Sequence, residues 1–158
     1  MIFIANEENT GTSTFIMIGN LIYWSSMKCK RVTRSVLASE IYAMIEGIDI
    51  AIAIATTIRM IMKKLNKPDM PIIAYTDSFS LYECLVKLST TKEKRLMIDI
   101  MSLRQSYERH KLFEIRWIHG DDNPADAMTK AAANKALEQF VSTNRITMRV
   151  QGWVKRNE

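Results

Sequence analysis

The chain has 158 residues, 47% of them hydrophobic and 25% charged, with a net charge of +5. This is the balance of one folded globular domain with a real core, and it excludes a disordered chain; the positive charge favours an anionic partner. Cys29 and Cys84 form no CxxC pair and only His110 and His119 supply imidazole, so nothing points to a disulfide framework, a structural zinc site is disfavoured, and reduced cysteines fit an intracellular setting.

Met1–Ala5 reads as a strand that begins abruptly, and Asn6, Glu7 and Glu8 end it without the basic leader of a signal peptide. Asn9–Thr14 is a polar loop. The apolar runs Thr14–Ile18 and Leu21–Trp24 flank Gly19-Asn20, which is either a tight hairpin turn or a kink in one long strand. Lys28, Lys30, Arg31 and Arg34 crowd four cations into seven residues. They are either solvated surface or, lying just ahead of a helix N-terminus, a grip for phosphate.

Ser35–Leu65 is expected to form one long amphipathic helix, because Leu37, Ile41, Met44, Ile48, Ile52, Ala55, Ile58, Met62 and Leu65 recur at steps of three and four. Glu40 falls on the shoulder of that stripe, whereas Glu46 and Asp49 point toward solvent. A first-turn acid is also favoured by the helix dipole alone. The apolar segment Ile48–Met62, interrupted by Asp49, Thr56 and Arg59, is expected to be too short for a bilayer, so no membrane partner is expected.

Pro71–Leu85 organises the rest. Ile72–Tyr75 is a short buried strand, Thr76-Asp77-Ser78 follows, and Leu81, Tyr82 and Leu85 repeat at helical spacing. Asp77 thus stands at the carboxyl end of a strand, where open α/β sheets hold ligands, unless it only caps the next helix. Thr90–Arg95 is a polar, basic connection, and Leu96, Ile100, Leu103 and Tyr107 mark a helix ending near Arg109. Phe113–Ile118 alternates as a half-buried strand does. His119–Asp122 is a loop, and Asn123-Pro124-Ala125-Asp126 opens a helix with a cap, a proline and an acid, which accounts for Asp126 without catalysis. Leu137, Phe140 and Val141 suggest a further helix, and Ile146–Val150 a short strand before a polar end.

Three acids from three elements meeting at one sheet edge would repel unless cations lay between them. Oxygen-only ligands suit Mg²⁺ or Mn²⁺, and a pair of such ions about 4 Å apart is the usual apparatus of phosphodiester cleavage. Tyr23–Ser26, Lys28–Glu40, Thr76-Asp77-Ser78, Lys92–Ile100 and Asn123–Lys130 carry a resemblance in order along nearly the whole chain. On these residues the chain resembles the ribonuclease H domain at the C-terminal end of a copia-type retrotransposon polyprotein, in a version like those of fungal elements.

The resemblance implies an α/β, ribonuclease H-like mixed sheet with flanking helices, the Ser35–Leu65 helix packed across it, over a single domain spanning 1–158. It implies endonucleolytic hydrolysis of RNA in RNA–DNA hybrids, with two Mg²⁺ or Mn²⁺ ions held by Glu40, Asp77 and Asp126. Lys28, Lys30, Arg31 and Arg34 would grip the duplex backbone, and the reverse transcriptase of the same polyprotein would be the partner, in a cytoplasmic particle or the nucleus. His119 either assists proton transfer or is a loop histidine without a role.

One departure stands against the resemblance. The family places another Asp on a central first strand, between its second strand and the one ending at Asp77, and Met1–Asn6 reads as that second strand. The expected fold therefore lacks its first strand, and the alternative function is an inactive remnant retaining at most nucleic-acid binding. In a competing register Met1–Ala5 takes the first-strand place, with Asn6, Glu7 or Glu8 near the missing ligand.

Overall fold

A computed structural model describes residues 1–27, 33, 35–86 and 94–155. The chain divides into two compact units. The first comprises Met1–Lys30, Tyr75–Asp77 and Arg116–Trp153, and the second Arg31–Ala74, Ser78–Ile115 and Val154–Glu158.

The strands form one curled, mixed five-stranded sheet, most of whose residues fall in the first unit. Its strands are β1 (Ile2–Asn9), β2 (Thr14–Tyr23), β3 (Ile73–Thr76), β4 (Glu114–Ile118) and β5 (Arg145–Lys155), ordered β1-β2-β5-β4-β3. Period-two alternation gives β2 and β5 one apolar face each. The antiparallel register sets Phe15 opposite Met148 and Met17 opposite Ile146, and all four are buried. Ile118 and, from a short helix spanning Ala136–Thr143, Ala136 and Phe140 complete this core. Phe3 of β1 meets the Phe140 ring edge-on at 4.9 Å. That helix ends at Asn144, whose left-handed φ of 53° is a conformation asparagine tolerates at a helix end.

β1 and β2 pair antiparallel, Ala5 lying opposite Gly19. The strands come so close there that an added Cβ on Gly19 would lie 2.1 Å from the Ile4 carbonyl oxygen, so only glycine fits. The curl brings side chains of the two edge strands together: the Tyr75 hydroxyl of β3 donates to Glu7 of β1. Arg116 Nη1 of β4 donates to the same Glu7 oxygen at 2.9 Å, and its guanidinium lies 4.8 Å above the Phe15 ring.

The second unit is helical. It holds α1 (Val36–Lys64), α2 (Phe79–Val86) and α3 (Leu96–Glu108), with Ile41, Leu81, Leu96, Ile100, Leu103 and Leu112 buried. Ser35 caps α1, its hydroxyl oxygen accepting from the Ala38 amide at 3.2 Å. By length and composition alone α1 could cross a membrane, contrary to the reading of Ile48–Met62 as too short. Core helices of soluble proteins meet the same criterion.

Several expectations need correction. β1 runs past Ala5 to Asn9, through Asn6, Glu7 and Glu8. Of the two readings of Gly19-Asn20 the single long strand is the one observed, so β1 and β2 form the hairpin and the chain turns at 10–13. β5 is longer than Ile146–Val150 and runs to Lys155, because its alternation of half-buried and exposed positions continues past Val150 through Gly152 and Val154. No gap is left beside β2: β5 lies between β2 and β4, and the strand leading to Asp77 lies at the sheet edge. Asp126 sits in a 3₁₀ turn, Pro124–Met128. The cap and proline signals are shared by both helix types, and the exposed segment that follows offers no apolar stripe to extend an α-helix. Most of the Thr90–Arg95 connection lies outside the described residues.

Candidate active site

Asp77 follows β3 directly and is half-buried. The start of α2 is capped by the neighbouring residue, since the Leu81 amide donates to Ser78 Oγ at 3.4 Å. On its other side, an added Cβ on Gly120 would stand 3.8 Å from Asp77 Oδ2. The segment after β4 therefore passes beside the Asp77 carboxylate, and that segment carries Asp126.

Three clamps set the course of this segment. Asn123 Oδ1 accepts from the Ala125 amide at 3.0 Å, and the Asp126 amide donates to the Asn123 carbonyl at 3.2 Å. Asn134 Nδ2 donates to the carbonyls of Gly120 and Asn123, both at 2.9 Å, while its Oδ1 accepts from the Ala136 amide at 3.0 Å. Ser26 Oγ donates to the Met128 carbonyl at 2.8 Å, which ties the end of the resembling Tyr23–Ser26 motif to the Asp126 turn. The sequence carries one local signal for Asn134, its position two residues ahead of a helix.

Asp126 is 8% exposed. Its carboxylate is met by the Lys130 ammonium, which lies 2.8 Å from Oδ1 and 3.0 Å from Oδ2.

On the β5 side, Arg149 forks onto Asp122, with Nε 2.8 Å from Oδ2 and Nη2 2.9 Å from Oδ1, and its amide also donates to Oδ2 at 2.8 Å. Burial alone would raise the Asp122 carboxyl, but the hydrogen bonds and charge of Arg149 outweigh it and hold the group below its ordinary value. His119 Nδ1 accepts from the Asp121 amide at 3.3 Å and lies 3.1 Å from Arg149 Nη2. With both donors aimed at Nδ1, the neutral ring carries its proton on Nε2.

Glu40 belongs to the second unit. It is half-buried and is the fifth residue of α1, past a first turn that contains no acid. Lys28, Lys30, Arg31 and Arg34 lie outside the described residues.

Asp77 and Asp126 offer the oxygen donors that Mg²⁺ or Mn²⁺ prefers, one of them buried, and in chemistry they fit such an ion. Among the described residues, no group of three or more His, Cys, Asp or Glu side chains is gathered as a metal site. Comparison with protein-family models, with curated proteins and with solved structures returns no match.

Proposed function

We propose that this chain is a ribonuclease H-type nuclease of retrotransposon origin, a hydrolase that cleaves RNA in RNA–DNA hybrids with the aid of Mg²⁺ or Mn²⁺. The observation that carries the reading is the corner of the first unit where Asp77, at the carboxyl end of β3, lies beside the segment that buries Asp126. Two carboxylates from separate elements, the second on a turn braced by Asn123 and Asn134, are what a phosphodiester-cleaving centre needs from its protein. Asp77 and Asp126 would hold the cation; Glu40, of the second unit, is counted among the metal-binding acids by the resemblance alone. When bound, the divalent ion supplies Lewis-acid stabilisation of charge on the phosphate oxygens.

The Asn134 and Ser26 clamps keep the Asp126 turn from drifting as charge changes around it. Lys28, Lys30, Arg31 and Arg34 would hold the hybrid through its phosphates, without reading sequence. The reverse transcriptase of the parent polyprotein is the partner that this reading implies.

A second reading, hybrid binding without cleavage, is favoured by β5. The strand between β2 and β4 contains no carboxylate from Arg145 to Lys155, so no fourth acid comes from that place. A cleavage assay on a labelled RNA–DNA hybrid in Mg²⁺ separates the two. Cleavage by the wild type that is lost in both Asp77→Asn and Asp126→Asn supports the nuclease. Salt-sensitive hybrid binding with no cleavage supports the binding module.

A further inference from the structure

We propose that Lys130 is a resident cation of the Asp126 site, one that a divalent ion must displace, so that this lysine sets the metal affinity of the centre. The inference rests on the nuclease reading above and deepens it.

A carboxylate as buried as Asp126 needs a partner, because an unpaired charge out of water is costly. The Lys130 ammonium is that partner and spans both oxygens, at 2.8 and 3.0 Å. The backbone arranges this. The amides of Thr129 and Lys130 both donate to the Asp126 carbonyl, at 3.1 and 2.9 Å, folding the chain back so that the lysine stem returns over the acid four residues earlier. A divalent ion needs direct oxygen contact, and it repels an ammonium held on the same carboxylate. Ion and lysine therefore compete for Asp126.

Two features make the lysine displaceable rather than fixed. Its side chain is 56% exposed while that of Asp126 is 11% exposed, so the ammonium can swing into water as the acid stays in place. An ammonium on a flexible stem also makes no rigid two-pronged fork, unlike the Arg149 grip on Asp122.

The test is a Mn²⁺ titration of the full chain, followed by paramagnetic broadening of the Asp77 and Asp126 amide signals, with Mg²⁺ as competitor. Lys130→Met keeps the stem and removes the charge, and Lys130→Gln retains a hydrogen-bond donor should the first variant fail to fold. Both variants are expected to bind Mn²⁺ about tenfold more tightly than the wild type, a coupling of ordinary size between linked sites. In the wild type, saturating Mg²⁺ is expected to move the Lys130 side-chain resonances to those of a freely solvated lysine. Equal or weaker binding by the folded variants overturns the proposal, as does a Lys130 signal unmoved in the metal-loaded wild type. If neither wild type nor variants bind Mn²⁺, the nuclease reading itself falls; equal binding by all removes only the role of Lys130.

Discussion

Replacing Gly19 by alanine tests the closeness of β1 to β2, because two opposite outcomes compete. In an unobstructed strand the change would stabilise by about 0.5–1 kcal/mol, since alanine gives up less backbone freedom on folding. Here the new methyl would sit 2.1 Å from the Ile4 carbonyl oxygen and 2.6 Å from both Cα and Cβ of Ala5, where ordinary contact begins at 3.4 Å. The strands would have to separate by 1.3 Å, the difference between 3.4 and 2.1 Å. The obstacle is backbone, which cannot rotate aside, so the cost falls at the upper end of core overpacking, about 3 kcal/mol. All three tryptophans, Trp24, Trp117 and Trp153, lie in the first unit with Gly19, so tryptophan fluorescence in a urea titration reads the correct region. Gly47→Ala is the control: it lies within α1 with nothing within 4 Å of the added methyl. It should stabilise the helix by about 1 kcal/mol in a far-ultraviolet dichroism melt. A Gly19→Ala protein as stable as the wild type, or more so, would refute the close approach.

Phe140→Ala should cost about 3–5 kcal/mol by the same fluorescence titration, because the ring is buried between β5 and Phe3 and its loss leaves a cavity. Asp122→Asn should flatten the acid limb of the stability profile. The Asp122 carboxyl is depressed in the folded state, so its contribution is complete above the ordinary carboxylate range and fades as pH falls below about 4. The wild type and variant should thus converge in urea midpoint between pH 7 and pH 2.5, and a gap independent of pH would contradict the assignment. Glu7→Gln should destabilise by about 2 kcal/mol by leaving Arg116 without its counter-charge, and the double change with Arg116→Met should recover much of that loss. A double variant as unstable as the sum of its parts would show that the pair does not act together.

The features legible in the sequence are those set by local chemistry. Ser35 with the three-and-four spacing that follows it specifies α1, and the apolar run before Asp77 specifies a strand that ends at an acid. Partner choice is different in kind. The pleat of Ile146 and Met148 announces a half-buried strand, but its place beside β2 comes from packing on Phe15 and Met17, more than a hundred positions earlier. No local pattern encodes such a distance. Glu7 likewise looked like a strand-ending acid, and only the curl of the sheet sends it to Tyr75 and Arg116. At the candidate site the two aspartates were legible because each stands where an element changes type. Lys130 on Asp126 and Asn134 across the turn were not, since both depend on a reversal of the chain after Met128.

The Glu7, Tyr75 and Arg116 bridge has a dynamic consequence. It joins strands at opposite ends of the sheet order through side chains, with no backbone ladder along that seam. Parting it breaks a few polar contacts and the stacking of Tyr75 on Phe15, ring centroids 5.9 Å apart, whereas separating β2 from β5 unzips five paired positions, Thr14 to Ile18. Deuterium uptake should therefore begin at β3 and reach the β2–β5 amides last, so that the strand leading to Asp77 breathes while the platform beneath Phe140 stays shut.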